Sequence, residues 1–91
     1  MEPQHRKISG YRELSQTESD LMNQIKSIGE VLEGTIARVW EHIEAQYASR
    51  DEAEQARLDN ADPMKWTIKA TDDLQVGLME LTRAVAQPTE F

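Results

Sequence analysis

The chain has 91 residues, no cysteine and a formal net charge of −7 at pH 7. A chain of this length forms at most one domain with a small core, and without cysteine it has no disulfide or thiolate metal site to strengthen the fold. The negative charge argues against general binding to DNA or RNA, because such binding needs a basic face to neutralise phosphates.

A short N-terminal segment, residues 1–14, is the first element, and its charge differs from that of the rest of the chain. Residues 1–12, MEPQHRKISGYR, carry a net charge of +2 (3 − 1), whereas residues 13–91 carry −9 (7 − 16). The segment has no apolar h-region, and no stretch of the chain approaches the roughly 20 apolar residues of a membrane span. We therefore expect a soluble protein that is not exported.

A long helix is predicted over residues 15–48. Ser15 and Glu18 have the spacing of a capping box, in which each side chain satisfies a backbone N–H. Gly29 and Gly34 lie inside the helix at a cost of about 0.5–1 kcal/mol each, so either they weaken it to no purpose or something packs closely there. One apolar stripe follows steps of three and four residues: Leu21, Ile25, Ile28, Leu32, Ile36, Val39 and Ile43.

Residues 49–61 are predicted to form a connector or a continuation of the first helix, because helix-forming residues persist while the apolar stripe is lost. A second long helix is predicted over residues 62–87, with Asp62 as N-cap and Pro63 at the first helical position. Pro88 ends a seam with the spacing of a coiled coil: Thr67, Thr71, Leu74, Leu78, Leu81 and Val85. This pattern predicts an all-α fold whose two long helices form an antiparallel hairpin.

Apolar residues outside the two seams predict a compact homo-oligomer. They give each long helix more apolar surface than a single partner helix covers. We expect other copies of the chain to cover this surplus, since a small domain has little core of its own. The residues concerned are Trp40, Tyr47, Trp66, Met79 and Ala84.

Catalysis is poorly supported by the sequence, and we expect neither enzymatic activity nor a cofactor or metal. The two histidines, His5 and His42, stand in no context typical of a nucleophile–base pair. A helical di-iron site would need a glutamate three residues before His42, where Val39 stands. Residues 29–35 resemble the start of a P-loop but lack its lysine. Acidic pairs such as Asp72-Asp73 are better explained as solvated helix faces.

Lys26 has two interpretations. It borders the apolar stripe one position after Ile25 and lies in the helix section that contains Gly29. Spacing alone favours a surface ion pair with Glu30, although this order of charges is the weaker one and contributes only about 0.2–0.5 kcal/mol. The alternative is a ligand contact at the edge of the stripe.

Tyr11 is also open to two interpretations. A tyrosine one turn before a capping box commonly packs the entering chain against the helix. Its neighbours favour a nucleotide pocket instead, which combines an aromatic face, small residues that allow close approach and cations for phosphates. These neighbours are Arg6, Lys7, Ser9 and Gly10.

The sequence resembles a known family, the phage-encoded anti-CBASS sponges that sequester the cyclic nucleotide signals of bacterial immunity. The resemblance rests on QHRKISGYREL (4–14), DLMNQIKSIG (20–29) and DPMKWTIKATDDLQVGLMELTRAVAQP (62–88). The last pattern is shared with sponges directed against the Thoeris defence, whereas HRK-I-x-GYR is typical of the anti-CBASS branch. The middle of the chain carries none of the resemblance.

The resemblance implies a helical homohexamer in the host bacterial cytoplasm that binds 3′,3′-cyclic dinucleotides such as cGAMP without cleaving them. It implies that Tyr11 stacks on a base and that Lys26 contacts a phosphate, within a pocket to which the residues beside Tyr11 belong. Two alternatives stay open: a sponge for Thoeris signals of the cyclic ADP-ribose type, and a structural or regulatory helical oligomer that binds protein.

A separate site for cyclic trinucleotides, formed around a symmetry axis, is also implied by the resemblance. Basic residues of the second helix contribute to that site in the family. This chain departs from the expected pattern, because it has Lys69 and Lys65 rather than a basic residue next to Thr71. Lys69 is the candidate for this second site.

Overall fold

Residues 13–89 are described by the computed structural model, and within them the protein consists of three α-helices without strands. Helix α1 spans Gln16–Tyr47, α2 spans Glu52–Ala61 and α3 spans Pro63–Ala86. The long helices α1 and α3 run antiparallel, since Gly29 lies against Leu78 while Ile36 shares a groove with Thr71. The all-α class and the long helical hairpin are therefore confirmed.

The start of α1 has the predicted capping box. The hydroxyl of Ser15 accepts a hydrogen bond from the backbone N–H of Glu18 at 3.2 Å, and the Ser15 N–H donates to Oε1 of Glu18 at 2.8 Å. The backbone N–H groups of Ser15 and Glu18, which would lack partners at a helix start, each donate to the side chain of the other residue. The entry of the chain into α1 is fixed by these contacts.

Helix α2 is a separate short helix tied to the end of α1. Residues 48–51 break the helix, and the side-chain amide of Gln55 donates to the carbonyl oxygens of Tyr47 at 3.0 Å and Ser49 at 2.6 Å. Leu58 is 1% exposed and is the most deeply buried of the described residues. Residues 49–61 were predicted to be a connector or a continuation of the first helix. In the structure α1 ends at Tyr47 and a separate helix, α2, begins at Glu52.

Asp62 joins α2 to α3, and the predicted side-chain cap at this residue is wrong. Its backbone is left-handed, with φ 51° and ψ 57°, and its N–H donates to the carbonyl oxygen of Leu58 at 2.8 Å. Its side chain makes no capping hydrogen bond to α3, because a capping side chain needs an extended backbone to reach the first N–H groups. Pro63 occupies the first turn of α3 as predicted.

One chain buries little apolar surface. The hairpin measures 66 × 23 × 17 Å, and its buried residues within the described chain are Ile25, Ile43, Leu58 and Thr67. Ten large apolar side chains are 40–68% exposed: Leu21, Ile28, Val31, Val39, Trp66, Ile68, Leu74, Val76, Met79 and Leu81. In the described part of the chain, no helix has the length and apolar composition needed to cross a membrane.

Candidate ligand-binding site between the long helices

An open trough between α1 and α3 surrounds Lys26. Its volume of about 590 Å³ lies within the range of small-molecule pockets. Both long helices contribute to its walls, α1 from its first half and α3 from its second half. We call it the Lys26 trough, and its lining residues are Met22, Asn23, Ile25, Lys26, Gly29, Gln75, Leu78, Met79 and Thr82.

Close packing at Gly29 shapes the floor of the Lys26 trough. A Cβ atom at Gly29 would lie 3.4 Å from Cδ1 of Leu78, which is ordinary van der Waals contact, so the side chain of Leu78 packs over this glycine. Lys26 lies one turn before Gly29 and therefore on the same side of α1. Of the two explanations for the helix glycines, close packing holds at Gly29, whereas nothing described lies within 4 Å of a Cβ at Gly34.

The Lys26 trough is locally positive in an acidic chain. Lys26 is exposed and is the one charged side chain among the lining residues, which include no carboxylate. The surface ion pair between Lys26 and Glu30 that spacing favoured is not among the ion pairs described for residues 13–89, which include Arg57 with Glu54 and Lys69 with Asp73. Lys26 is thus free of any described acidic partner and available to an anion.

A second groove continues from the Lys26 trough toward the turn that joins α2 to α3. We call it the apolar groove, and its volume is about 340 Å³. It is lined by Gly29, Leu32, Glu33, Ile36, Thr71, Leu74, Gln75 and Leu78. The two depressions share Gly29, Gln75 and Leu78. Glu33 makes the apolar groove unfavourable for a phosphate, so an anion is expected at the Lys26 end.

The N-terminal candidate residues lie outside the residues that the structure describes. These are Arg6, Lys7, Ser9, Gly10 and Tyr11. Their roles beside Lys26 therefore stay predictions, which the substitutions described below test.

Lys69 lies on α3 outside the lining of the Lys26 trough. It stands six residues before Gln75, which is about 9 Å along the helix axis. Its Nζ lies 3.6 Å from Oδ2 of Asp73, and the two side chains are 61% and 68% exposed. An exposed pair of this kind contributes about 0.3–0.5 kcal/mol, so Lys69 can exchange Asp73 for a ligand phosphate at small cost. Its neighbour Thr71 donates its hydroxyl to the Thr67 carbonyl at 2.8 Å.

The Glu54–Arg57 pair on the surface of α2 changes the pKa of both of its members. A hydrogen bond from Arg57 lowers the pKa of the Glu54 carboxyl, and the same pair raises the pKa of Arg57. Both groups are on the surface of α2 and line neither depression. Among residues 13–89, no group of three or more histidine, aspartate or glutamate side chains is placed to hold a metal ion.

Sequence reasoning missed three polar residues that line the Lys26 trough. Asn23 lies three residues before Lys26, so its helical spacing was an available signal. Gln75 and Thr82 are on the facing helix. Their proximity to Lys26 depends on the register of α3 against α1, which the apolar stripes alone do not fix.

Comparison with known proteins places the chain in a family. No family model matches it. Among curated proteins, "Anti-CBASS protein 2" of Pseudomonas phage JBD67 is 37% identical over 105 aligned positions, covering 97% of this chain and 97% of that protein. The chain belongs to the anti-CBASS protein family. The aligned region spans nearly the whole length of both proteins.

Proposed function

We propose that this anti-CBASS family member binds 3′,3′-cyclic dinucleotides such as cGAMP and sequesters them without cleavage. Sequestration blocks activation of CBASS effectors in the host bacterial cytoplasm, and it requires tight binding and abundance rather than turnover. The observation that carries the proposal is the exposed Lys26 in a trough without carboxylates, within a chain 37% identical to "Anti-CBASS protein 2".

The chemistry of the Lys26 trough suits a cyclic dinucleotide. Each phosphodiester carries a negative charge that the Lys26 ammonium can meet with a charge-assisted hydrogen bond. The apolar lining, which includes Ile25, Leu78 and Met79, offers cover for ribose and base surfaces. Tyr11 supplies a stacking face, and the small and basic residues beside it approach the backbone of the ligand.

Binding without hydrolysis is supported by the kinds of side chain present in the trough. Cleavage of a phosphodiester needs a group that activates the attacking water, most often a histidine or a carboxylate. The described lining residues include neither. A bound signal should therefore survive intact.

Mass spectrometry of released ligand tests this function. The full chain is purified from cells that synthesise cyclic dinucleotides and is then denatured, and the released small molecules are identified. Intact cyclic dinucleotide is the expected result. An empty protein would count against sequestration, and a linear product would indicate an enzyme.

Calorimetry with a panel of ligands separates this function from two alternatives. A sponge for Thoeris signals predicts that cyclic ADP-ribose-type ligands bind in calorimetry while cyclic dinucleotides do not. A helical oligomer that binds protein is favoured by the ten exposed apolar side chains, and it predicts no heat with any nucleotide. A ligand panel on the wild-type protein therefore distinguishes all three.

The exposed apolar surface also supports a closed homo-oligomer as the working assembly, and the family resemblance favours a hexamer. Val31 is 68% exposed, Trp66 57% and Ile68 53%, which is costly for one chain in water. We expect sedimentation velocity to give a closed multimer, with six copies favoured, and we expect Trp66→Ala to shift it toward smaller species. A stable folded monomer at micromolar concentration would contradict this assembly. Trp66→Ala should change the affinity for cyclic dinucleotides less than it changes the oligomeric state, because Trp66 does not line the Lys26 trough.

A second site is proposed for cyclic trinucleotides, with Lys69 as a contributing cation. Lys69→Ala should weaken trinucleotide binding in calorimetry and leave dinucleotide binding within about twofold, because Lys69 lies outside the Lys26 trough. The loss of affinity for the trinucleotide should be modest, because the Lys69 side chain is exposed and its charge is screened by salt. Equal loss of both ligands would mean that the two sites are not separate.

A further inference from the structure

Gln75 occupies the place where the Lys26 trough meets the apolar groove. It lines both depressions, and its side chain is exposed. Within residues 13–89 its side-chain amide has no hydrogen-bond partner. The amide therefore presents two N–H donors and one carbonyl acceptor to anything that enters the trough.

The position of Gln75 matters because it lines the same trough as Lys26 from the opposite helix, on the side of Gly29 and Leu78 that leads to the apolar groove. A nucleotide joins its phosphate and its base through one ribose, so a ligand held at Lys26 by its phosphate brings a base to the walls of the same trough. The apolar groove beyond Gln75 continues the depression by about 340 Å³, which gives a base room. Gln75 is thus placed at the edge of a base rather than at the phosphate.

The amide group distinguishes the two purines by chemistry. A glutamine amide can accept from N6–H and donate to N7 of adenine at the same time, as in the reading of adenine edges in DNA. The corresponding edge of guanine has two acceptors, O6 and N7, and would oppose the amide carbonyl. A paired amide of this kind favours adenine.

We propose that Gln75 is the base-selecting residue of the Lys26 trough and that it favours ligands containing adenine. This inference rests on the proposed function, because it concerns the same cyclic dinucleotide site. Asn23 lines the trough as well, but it lies on the same helix as Lys26 and does not border the apolar groove. Gln75 is therefore the residue that a substitution should address first.

Calorimetry with cyclic di-AMP and cyclic di-GMP tests the proposal on the full-length chain. Gln75→Ala should weaken binding of cyclic di-AMP roughly 5- to 150-fold, and it should change binding of cyclic di-GMP by less than about threefold. Gln75→Met keeps the length of the side chain and its helix propensity, and it should show the same change in preference. Gln24→Ala is the matched control, since Gln24 is an exposed amide on α1 that lines neither depression.

The outcomes separate this inference from the function on which it rests. If the wild type binds neither these two ligands nor cGAMP, sequestration of cyclic dinucleotides and base selection both fail. If it binds cGAMP but does not prefer cyclic di-AMP to cyclic di-GMP, only base selection by Gln75 fails. If the wild type binds but both Gln75 variants keep its preference, or lose both ligands equally, only base selection by Gln75 fails. A melting curve for each variant identifies loss of fold, and the methionine variant decides the case if the alanine variant is unfolded.

Discussion

Leu58→Ala should lower the free energy of unfolding by about 2–5 kcal/mol. Leu58 is 1% exposed, and it is the buried residue of α2. Removing its side chain deletes apolar contacts and leaves a cavity where α2 meets the rest of the hairpin. Chemical denaturation at one fixed protein concentration measures the change, because self-association raises apparent stability with concentration.

Asp59→Ala is the control for this substitution, because Asp59 is the exposed neighbour on the same helix. Such a surface change should stay within about 0.5 kcal/mol of the wild type. A similar small effect for Leu58→Ala would mean that α2 contributes little to the fold. A large effect would show that the short helix is part of the cooperative unit formed by α1 and α3.

The long helices were predictable from the sequence because their determinants are local. The Ser15–Glu18 capping box and the apolar stripes with steps of three and four both act within a few turns of one helix. An antiparallel hairpin then follows from two such stripes in a short chain. Elements specified by neighbouring residues are those that a sequence reveals most clearly.

The region between the long helices was less predictable because distant contacts form it. Helix α2 has no apolar stripe, and the amide of Gln55 holds it by reaching back to the carbonyl oxygens of Tyr47 and Ser49. Asp62 was expected to cap α3 because aspartate before proline is typical of a helix start. Its left-handed backbone instead ends α2, since the chain must turn sharply between two helices.

The candidate site was predictable only in part. Lys26 was selected from its place at the edge of the apolar stripe and from the family resemblance, and the structure adds that no acid lines the Lys26 trough. Gln75 became a candidate only through the packing of α3 against α1 at Gly29 and Leu78. Sequence spacing within one helix carries no information about which residue of another helix lies opposite.

Tyr11→Ala and Lys26→Ala should each weaken binding of cyclic dinucleotides strongly. Loss of a base-stacking aromatic face costs about 1–3 kcal/mol, so Tyr11→Ala should reduce affinity roughly 5- to 150-fold. Loss of a charge-assisted hydrogen bond costs about 1.5–3 kcal/mol, so Lys26→Ala should reduce it roughly 10- to 150-fold. Lys26→Arg keeps the charge and should lose less, although its planar group fits differently beside Gly29. Calorimetry with cGAMP measures all three variants.

Arg38→Ala is the matched control for Lys26→Ala, because it removes the same charge from the exposed surface of α1 without touching the Lys26 trough. If attraction by overall charge determined affinity, both substitutions would weaken binding equally, and the effect would fade at high salt.

If Tyr11 only packs the entering chain against α1 and Lys26 is only a surface residue, the substitutions should affect stability rather than ligand affinity. Tyr11→Ala would then lower the melting temperature, Lys26→Ala would do little, and neither would change affinity. Wild-type affinity in both alanine variants, with folding intact, would show that the dinucleotide pocket lies elsewhere on the molecule.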